Sequence, residues 1–553
     1  MRVSHVSEKK IISIKRCFTT NEFEEFTRAN LPPPPNGFSN WTSVIMNLSM
    51  SKNRLRALTV PVLFGIFLLG YLALGLATMA NGHGWGDDWA QYVLHARNIA
   101  SVHPYADTGY LFNVDIPNVG PPSYPPGLPL LLTPIFFVFG MDILAFKIVC
   151  FVCTLLALPV TFRLLSLSVD KSIALIAVLL FALHPYVWSI RHGIASEAPY
   201  LLFSMLALWW GARSDQRDDK SLSSTAAGVL LGFLLYSTVI SRSIGITLLP
   251  AIMVYGWAQR KPLSWFVGFI LSFSLFVWLQ TLWLVKPTTY ENELRVPTMG
   301  LILSNANNYW LSLADLVPMP FGFSRLSAAA VVVLAALGAL NLTGQRKPIG
   351  QTSNSVRTLA ARVPLILWYL AAYLLALLVA AIEPNSRYLL PILPIVIALA
   401  AEGAFSIAKR FRLTKRIMLY VAVGLAIYWA ALYLRKSNDD QATCDACLEM
   451  FSYVRTNTTP DSVIVFAKPR AMALLGGRAS WRPSAKYTTD EFTRKLEKVG
   501  ASIAVVGTPG SNFAVEYPAT AALAQRIQDP GAERLFRNSM FEVIRLGAPR
   551  VTR

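Results

Sequence analysis

Charged residues are scarce in this chain: they make up 15% of its 553 residues, whereas an ordinary soluble domain carries roughly 25%. Hydrophobic residues reach 54%, and the mean hydropathy is +0.45. This composition predicts an integral membrane protein. The formal net charge is +19, but the basic residues lie in short clusters between apolar segments. We therefore attribute them to membrane topology and expect no nucleic-acid partner.

Cysteine is also rare, because the five cysteines of the chain are too few for a disulfide framework. Cys150 and Cys153 lie in an apolar run, which is typical of buried thiols. Cys444 and Cys447 form a C-x-x-C pair, but no second Cys or His pair completes a zinc site. We expect these two cysteines to form a disulfide, or to lie on a helix without a chemical role, rather than to be a redox centre.

Apolar segments long enough to cross a bilayer of about 30 Å recur along the chain. They predict about eleven transmembrane helices, with the fourth the least certain in length. The predicted spans are 57–79, 144–166, 172–190, 198–212, 222–240, 244–259, 263–285, 326–343, 363–382, 388–408 and 417–434.

Lysine and arginine concentrate in one alternate set of the loops between these spans, as in the cluster at 409–416. These basic loops are expected on the cytoplasmic side. The N-terminus is then cytoplasmic, and residues 436–553 lie outside. The multi-pass chain is expected in a bacterial cytoplasmic (inner) membrane.

The two ends of the chain differ from the middle in composition and residue pattern. Residues 436–553 alternate short apolar runs such as 501–507 with helical patterns such as 489–498, which predicts a small periplasmic α/β domain. Residues 1–50 are polar and proline-rich. We expect them to be a disordered or misassigned extension, with translation starting at Met46 or Met50. The transmembrane domain is then 51–435.

The first outer loop, residues 80–143, holds two adjacent carboxylates, Asp87 and Asp88. Asp88 could simply cap the helix that follows it. Alternatively, one carboxylate could act as a base while the other positions it or holds a metal. The prolines after Tyr124 break any spanning helix, so the apolar residues behind them predict an interfacial helix that covers a cavity.

Other outer loops each offer an arginine at the membrane surface, notably Arg191, Arg242 and Arg387. Any one of them could extend to lipid headgroups. Together, beside carboxylates, they suit a lipid-phosphate ligand whose polar part reacts above the bilayer. The sequence has no glycine-rich nucleotide-binding loop. The pattern therefore favours glycosyl transfer from a polyprenyl-phosphate sugar over transfer from a nucleotide sugar.

Four motifs resemble those of membrane glycosyltransferases that use polyprenyl-phosphate sugars. This GT-C-fold superfamily includes protein O-mannosyltransferases and lipid A aminoarabinose transferases. The resemblance covers roughly residues 55–480, and the motifs occur in the order of the predicted topology. They are Gly86-Asp87-Asp88 with Tyr92 and Ala96-Arg97-Asn98, Tyr124-Pro-Pro126 with Leu128-Pro-Leu-Leu-Leu, Ser196-Glu197-Ala-Pro199, and Ser386-Arg387-Tyr388-Leu-Leu-Pro391.

This resemblance implies an inverting transferase whose site lies under the first outer loop. Asp87 would be the catalytic base, and Asp88 would support it or share a divalent ion, Mg²⁺ or Mn²⁺. Apart from the resemblance, His83 could form a metal site with Asp87 and Asp88, although histidines at a wet interface are usually incidental. Glu197 would bind the acceptor or orient the base. The implied ligands of the donor phosphate or lipid are Arg387, Arg242, Arg191 and Tyr124.

The partners implied are a polyprenyl-phosphate sugar, membrane lipids, and a lipid, polysaccharide or protein acceptor. Two other functions remain open. A transporter or flippase of lipid-linked sugars would also use interfacial arginines, although it would be expected to place ionisable residues near the bilayer midplane. A noncatalytic glycan-binding protein could use the outer domain, but it would leave the acidic loop unexplained.

Overall fold

The computed structural model describes eleven stretches of the chain. They are 61–86, 88–113, 115, 120–213, 223–283, 298–318, 323–345, 356–380, 384–411, 415–434 and 442–547. Asp87 and the extension at 1–50 therefore lie outside the described residues. The chain divides into two units, Met1–Phe67 and Leu68–Arg553. Of the first unit only residues 61–67 are described, and they begin helix α1.

Helices dominate residues 61–434, as the composition predicts. A helix coincides with each of the eleven predicted spans, and Gly127–Phe139 forms where an interfacial helix was expected. The helices of this part are α1 Pro61–Ala77, α2 Asp88–Ala100, α3 Gly127–Phe139, α4 Ile143–Leu165, α5 Lys171–Ala182, α6 Pro185–Arg191, α7 Glu197–Arg213, α8 Ser224–Ser241, α9 Leu248–Ala258, α10 Leu263–Trp283, α11 Met299–Leu316, α12 Ser324–Gln345, α13 Val356–Ala361, α14 Leu365–Val379, α15 Leu393–Arg410 and α16 Lys415–Leu434.

Within the described stretches, five helices have the length and composition needed to cross a membrane. A sixth counts if α5 and α6, bent by 63° at their junction, form one broken span. Pro185 explains that bend, because it lacks the N–H that would continue the helix. Other apolar helices, α1, α3 and α14 among them, are shorter. The count of eleven spans therefore stays a prediction.

Small residues bring α12 and α15 into close contact. A Cβ added at Gly338 or Gly403 would collide with the backbone of the opposite helix. Beside this contact, Asn341 donates a hydrogen bond of 2.6 Å to the Glu402 carboxylate. Close backbone approach with an interhelical hydrogen bond is typical of helix pairs in membranes.

A six-stranded sheet forms the core of the C-terminal part of the chain. The strand order is β1-β3-β2-β4-β6-β5; the first four strands of that order are parallel, and β6 is antiparallel to both β4 and β5. The strands are β1 Tyr110–Leu111, β2 Val463–Val465, β3 Ala479–Trp481, β4 Ala501–Gly507, β5 Glu533–Arg537 and β6 Phe541–Arg545. The helices packed with them are α17 Asp445–Asn457, α18 Pro469–Ala471, α19 Thr489–Val499, α20 Asn512–Glu516 and α21 Ala521–Arg526.

Two parts of the first outer loop belong to this sheet domain. Strand β1 comes from the loop and pairs in parallel with β3. Trp85, also from the loop and only 4% exposed, packs among Phe451, Phe466 and Phe513 with ring centroids 5.0 to 6.3 Å apart. The domain thus includes residues of the first outer loop as well as of the tail. Cys444 and Cys447 form a disulfide at the start of α17.

Candidate active site

Asp88 is the first residue of α2, three positions after the buried Trp85. Both of its carboxylate oxygens accept hydrogen bonds. Arg387 Nη1 donates to Oδ2 at 2.9 Å, Arg470 Nη1 donates to Oδ1 at 2.7 Å, and the Tyr124 hydroxyl donates to Oδ1 at 3.1 Å. Asp88 is therefore more than a helix cap, since it joins three distant segments of the chain.

Glu197 is the first residue of α7, and its side chain is only 3% exposed. Its Oε1 accepts from Arg387 Nε and from Arg242 Nη1, both at 2.6 Å. Its Oε2 is also buried and has no hydrogen-bond partner among the described residues. One arginine, Arg387, therefore bridges the two carboxylates Asp88 and Glu197.

Both arginines that bind Glu197 lie where a helical segment begins or ends. Arg242 follows the last residue of α8, and Arg387 lies in a short 3₁₀ turn ahead of α15. The Asn385 side chain accepts from the Arg387 N–H and so fixes this turn. Arg242 also donates to Ser196 Oγ at 3.1 Å. Ser196 in turn accepts from the Tyr92 hydroxyl at 2.9 Å.

Three guanidinium groups thus face two carboxylates, so the described part of the cluster carries one excess positive charge. Burial by itself would raise the pKa of Asp88. The positive charges of Arg470 and Arg387 together outweigh this effect, so the pKa of this carboxyl lies below its ordinary value. Asp88 and Arg387 are each 34% exposed, whereas Arg242 is 14% exposed. The cluster is therefore open on the side of Asp88 and closed on the side of Glu197.

Two other predicted site residues are not seen in the cluster of the described structure. Arg191 is fully buried, with its Cζ 3.3 Å from the centre of the Trp188 ring and 4.7 Å from that of Tyr71. Its guanidinium therefore packs on aromatic rings in the helical core. Asp87, the predicted base, is outside the described residues, so its role stays a prediction.

The hypothetical metal site receives no support from the geometry of His83. Its Nδ1 lies 3.0 Å from the Gly84 carbonyl oxygen, its Nε2 accepts from the Ile194 N–H at 3.1 Å, and its ring stacks on Trp89. Backbone groups thus engage both ring nitrogens. Among the described residues, no group of three His, Cys, Asp or Glu side chains is placed to hold a metal ion. His83 does not fit the role of a ligand beside Asp88.

Arg470 is the residue of the cluster that the sequence reasoning missed. It follows β2, after the segment Phe466-Ala-Lys-Pro469. Functional side chains in open α/β sheets commonly follow the carboxyl ends of parallel strands. That position was the signal that could have identified Arg470.

A second concavity, of about 350 Å³, lies in the sheet domain itself. It opens where β2 and β4 end, and its lining includes Phe513, Arg482 and Glu516. The lining is mainly apolar. The paired carboxylates and arginines needed for group transfer are instead those around Asp88, where the first outer loop, the helices and the sheet domain meet.

Fold and site together define a helical membrane protein with a cluster of acidic and arginine residues where the helices meet an α/β domain. Residues 123–281 match the family model of dolichyl-phosphate-mannose-protein mannosyltransferases, and this segment contains Tyr124, Glu197 and Arg242. No curated protein is significantly similar to the chain in sequence.

Solved structures share the fold. ArnT from Cupriavidus metallidurans in the apo state is 12% identical, with a TM-score of 0.54 over 88% of this chain and 98% of ArnT. An oligosaccharyltransferase from Archaeoglobus fulgidus, tethered to an acceptor peptide, is 13% identical, with a TM-score of 0.51 over 80% of this chain and 69% of that one. The predicted resemblance to GT-C membrane glycosyltransferases is confirmed.

Proposed function

We propose that this protein is an inverting glycosyltransferase. It moves a sugar from a polyprenyl-phosphate donor to an acceptor hydroxyl on the outer face of the cytoplasmic membrane. The observation that carries the proposal is the cluster in which Arg387 bridges Asp88 and Glu197 while Arg242 and Arg470 pair with one carboxylate each. ArnT with the same fold has been solved bound to undecaprenyl phosphate, which supports a lipid-phosphate donor here.

The arginines would bind the donor phosphate and stabilise it as a leaving group. The donor is a phosphodiester, and cleavage of its bond to the anomeric carbon leaves a phosphate monoester with a further negative charge. Fixed cations near this phosphate favour the transition state, because charge grows there as the bond breaks. Arg387 suits the role, since it is partly exposed on the open side of the cluster.

The acceptor oxygen would attack the anomeric carbon from the face opposite the phosphate, which inverts the configuration at that carbon. Its proton passes to a carboxylate. Asp88 is a poor base, because two arginines and Tyr124 bind its oxygens and its pKa is lowered. We assign the base to the adjacent Asp87 and a positioning role to Asp88. No step of this mechanism depends on a metal ion.

The test is sugar transfer from a panel of labelled polyprenyl-phosphate sugars, with purified protein in lipid and membrane extract as acceptor. We expect the wild type to consume one donor and Asp87→Asn to spare it. Arg387→Ala should lower transfer by about 100-fold, the scale reached when one group that stabilises developing charge is removed. The surface variant Arg545→Gln is the matched control, since Arg545 is 58% exposed and pairs with Glu533.

A different outcome would favour transport. If the wild type consumes no donor but moves labelled lipid across the bilayer, and if Asp87→Asn moves it equally well, the catalytic role of the acidic motif is refuted. If labelled lipid binds without either transfer or movement, a noncatalytic glycan-binding role becomes the better explanation.

A further inference from the structure

Arg470 reaches the cluster from the sheet domain rather than from a helix of the membrane part. It lies in the short α18, and the next two residues, Ala471 and Met472, are 1% and 0% exposed. These neighbours belong to one buried cluster with Phe451 of the sheet domain and with Phe146 of α4. The backbone of Arg470 is therefore fixed where the sheet domain packs on the helices.

Two tyrosines orient the Arg470 side chain. Its Cζ lies 4.7 Å from the ring centre of Tyr110 and 5.3 Å from that of Tyr124. Tyr110 belongs to strand β1 of the sheet domain, and Tyr124 itself donates to Asp88. Cation–π contacts of this kind hold a guanidinium plane in place. The Arg470 side chain is 16% exposed, so it is partly shielded from solvent.

Arg470 and Arg387 together hold one anion. They donate to different oxygens of the same Asp88 carboxylate, Oδ1 and Oδ2. A phosphodiester also presents two non-bridging oxygens, and guanidinium groups recognise carboxylate and phosphate through the same paired contacts. The pair therefore has the spacing of a clamp for a two-oxygen anion. The clamp is on the open side of the cluster, where Asp88 and Arg387 are 34% exposed.

We propose that Arg470 is a ligand of the donor phosphate, supplied to the transfer site by the sheet domain. This inference rests on the proposed function and names a phosphate ligand that the motifs did not indicate. In the described structure Asp88 shows how an anion is held between Arg470 and Arg387. A guanidinium carries five N–H donors, so the donor phosphate can bind the two arginines while Asp88 keeps its own contacts. The phosphate subsite is then incomplete unless the sheet domain is docked on the helices.

The experiment measures binding of two lipids of equal chain length, undecaprenyl phosphate and undecaprenol, to the purified full chain in detergent. The variants are Arg470→Gln and Arg470→Lys, with Arg545→Gln as the surface control. Arg470→Gln should bind undecaprenyl phosphate about 10- to 100-fold more weakly, since hydrogen bonds to charged groups contribute on this scale. Arg470→Lys should recover part of the loss. Binding of undecaprenol should not change in any variant.

A purely structural role would give a different pattern. Thermal unfolding of each variant shows whether the protein is folded, and Arg470→Lys, which keeps the charge, serves if Arg470→Gln is unstable. The inference is overturned if folded Arg470→Gln binds undecaprenyl phosphate within about twofold of the wild type, or if it loses both lipids equally. It is also overturned if sugar transfer falls while binding is unchanged, because Arg470 would then act only through Asp88.

The failure of this inference is distinct from the failure of the proposed function. If the wild type transfers sugar and Arg470→Gln binds undecaprenyl phosphate normally, only the role of Arg470 is wrong. If the wild type neither binds undecaprenyl phosphate nor consumes any polyprenyl-phosphate sugar, the proposed function fails and the inference fails with it.

Discussion

Replacing Glu197 by glutamine tests whether one buried carboxylate holds the arginine cluster together. The substitution keeps the size of the side chain but removes the negative charge between Arg242 and Arg387, which both donate to Oε1 at 2.6 Å. Removing one partner of a buried ion pair costs about 3 to 5 kcal/mol. Arg387 keeps its contact with Asp88 and glutamine retains an acceptor oxygen, so we expect a loss near 3 kcal/mol, the lower end of that range.

The amide group adds a second penalty. Oε2 of Glu197 is buried without a hydrogen-bond partner in the described part of the chain. Glutamine would place its NH₂ group there, or else turn it towards the two arginines and lose their hydrogen bonds. A buried donor left unsatisfied costs about 1 to 3 kcal/mol. Sugar transfer should fall together with stability, since Arg242 and Arg387 lose the group that positions them.

Glu542 provides a matched control for this substitution. Its side chain is 6% exposed, and it also pairs with two arginines, Arg534 at 3.1 Å and Arg537 at 3.3 Å. Those arginines are 56% and 53% exposed, so they remain solvated when the carboxylate is lost. Exposed ion pairs contribute about 1 kcal/mol or less. Glu542→Gln should therefore cost far less stability than Glu197→Gln and leave sugar transfer unchanged.

The assay for this pair is unfolding in one detergent, followed by the fluorescence of the 14 tryptophans, together with sugar transfer at a temperature where both variants are folded. Equal losses of stability in the two variants would refute the reasoning, because the exposure of the arginines would then not matter. Full transfer activity in folded Glu197→Gln would show that the cluster works without its buried carboxylate.

Two further predictions concern pH and helix packing. Burial lowers the pKa of His95 to about 4 and that of His83 to about 4, whereas unfolded histidine titrates near 6.5. Because the unfolded chain binds protons at a higher pH than the folded chain, the free energy of unfolding should be full above about pH 6.5 and fall towards pH 4. The expected loss is about 3 kcal/mol per histidine. If the midpoint of unfolding were equally pH-dependent in His95→Gln, this prediction would be contradicted. Gly403→Leu should lower the unfolding midpoint and separate α12 from α15, because a side chain there meets the Leu334 carbonyl. Gly424→Ala, with open space around it, should not lower the midpoint, and equal losses in the two variants would count against the packing argument.

Much of the cluster could be predicted because the membrane constrains it. Asp88, Glu197, Arg242 and Arg387 each lie near an end of a helical segment. If the segments cross a bilayer, alternate ends fall on the same side, so residues distant in sequence are brought to one face. Tyr124 was expected there because Tyr124-Pro-Pro126 resembles the proline-rich motif of GT-C glycosyltransferases. The side of the membrane on which this face lies stays a prediction.

Other features could not be predicted, for physical reasons. Arg191, like Arg242, is an arginine at the end of a helix. The direction of its side chain depends on packing against Trp188, which a sequence pattern does not fix. Helix α11 was missed because asparagines and serines lower its hydropathy. One of them, Asn305, donates to the carbonyls of Leu378 and Ala380 at the end of α14. Strand β1 has only two residues, too few for an alternating pattern.

The position of Arg470 was not predicted because the bilayer does not fix where the sheet domain lies on the helices. Trp85 packs on Phe451 and Phe466 of the sheet domain, and three residues of chain reach at most about 11 Å, so Asp88 lies close to that domain. Asp88 also begins α2, which shares one buried cluster with α4, α7 and the sheet domain. Its ion pairs with Arg387 at 2.9 Å and with Arg470 at 2.7 Å therefore lie where the helices and the sheet domain meet. A donor phosphate that bridges Arg387 to Arg470 would add a further contact between these parts, so donor binding would favour the docked arrangement of the sheet domain on the helices.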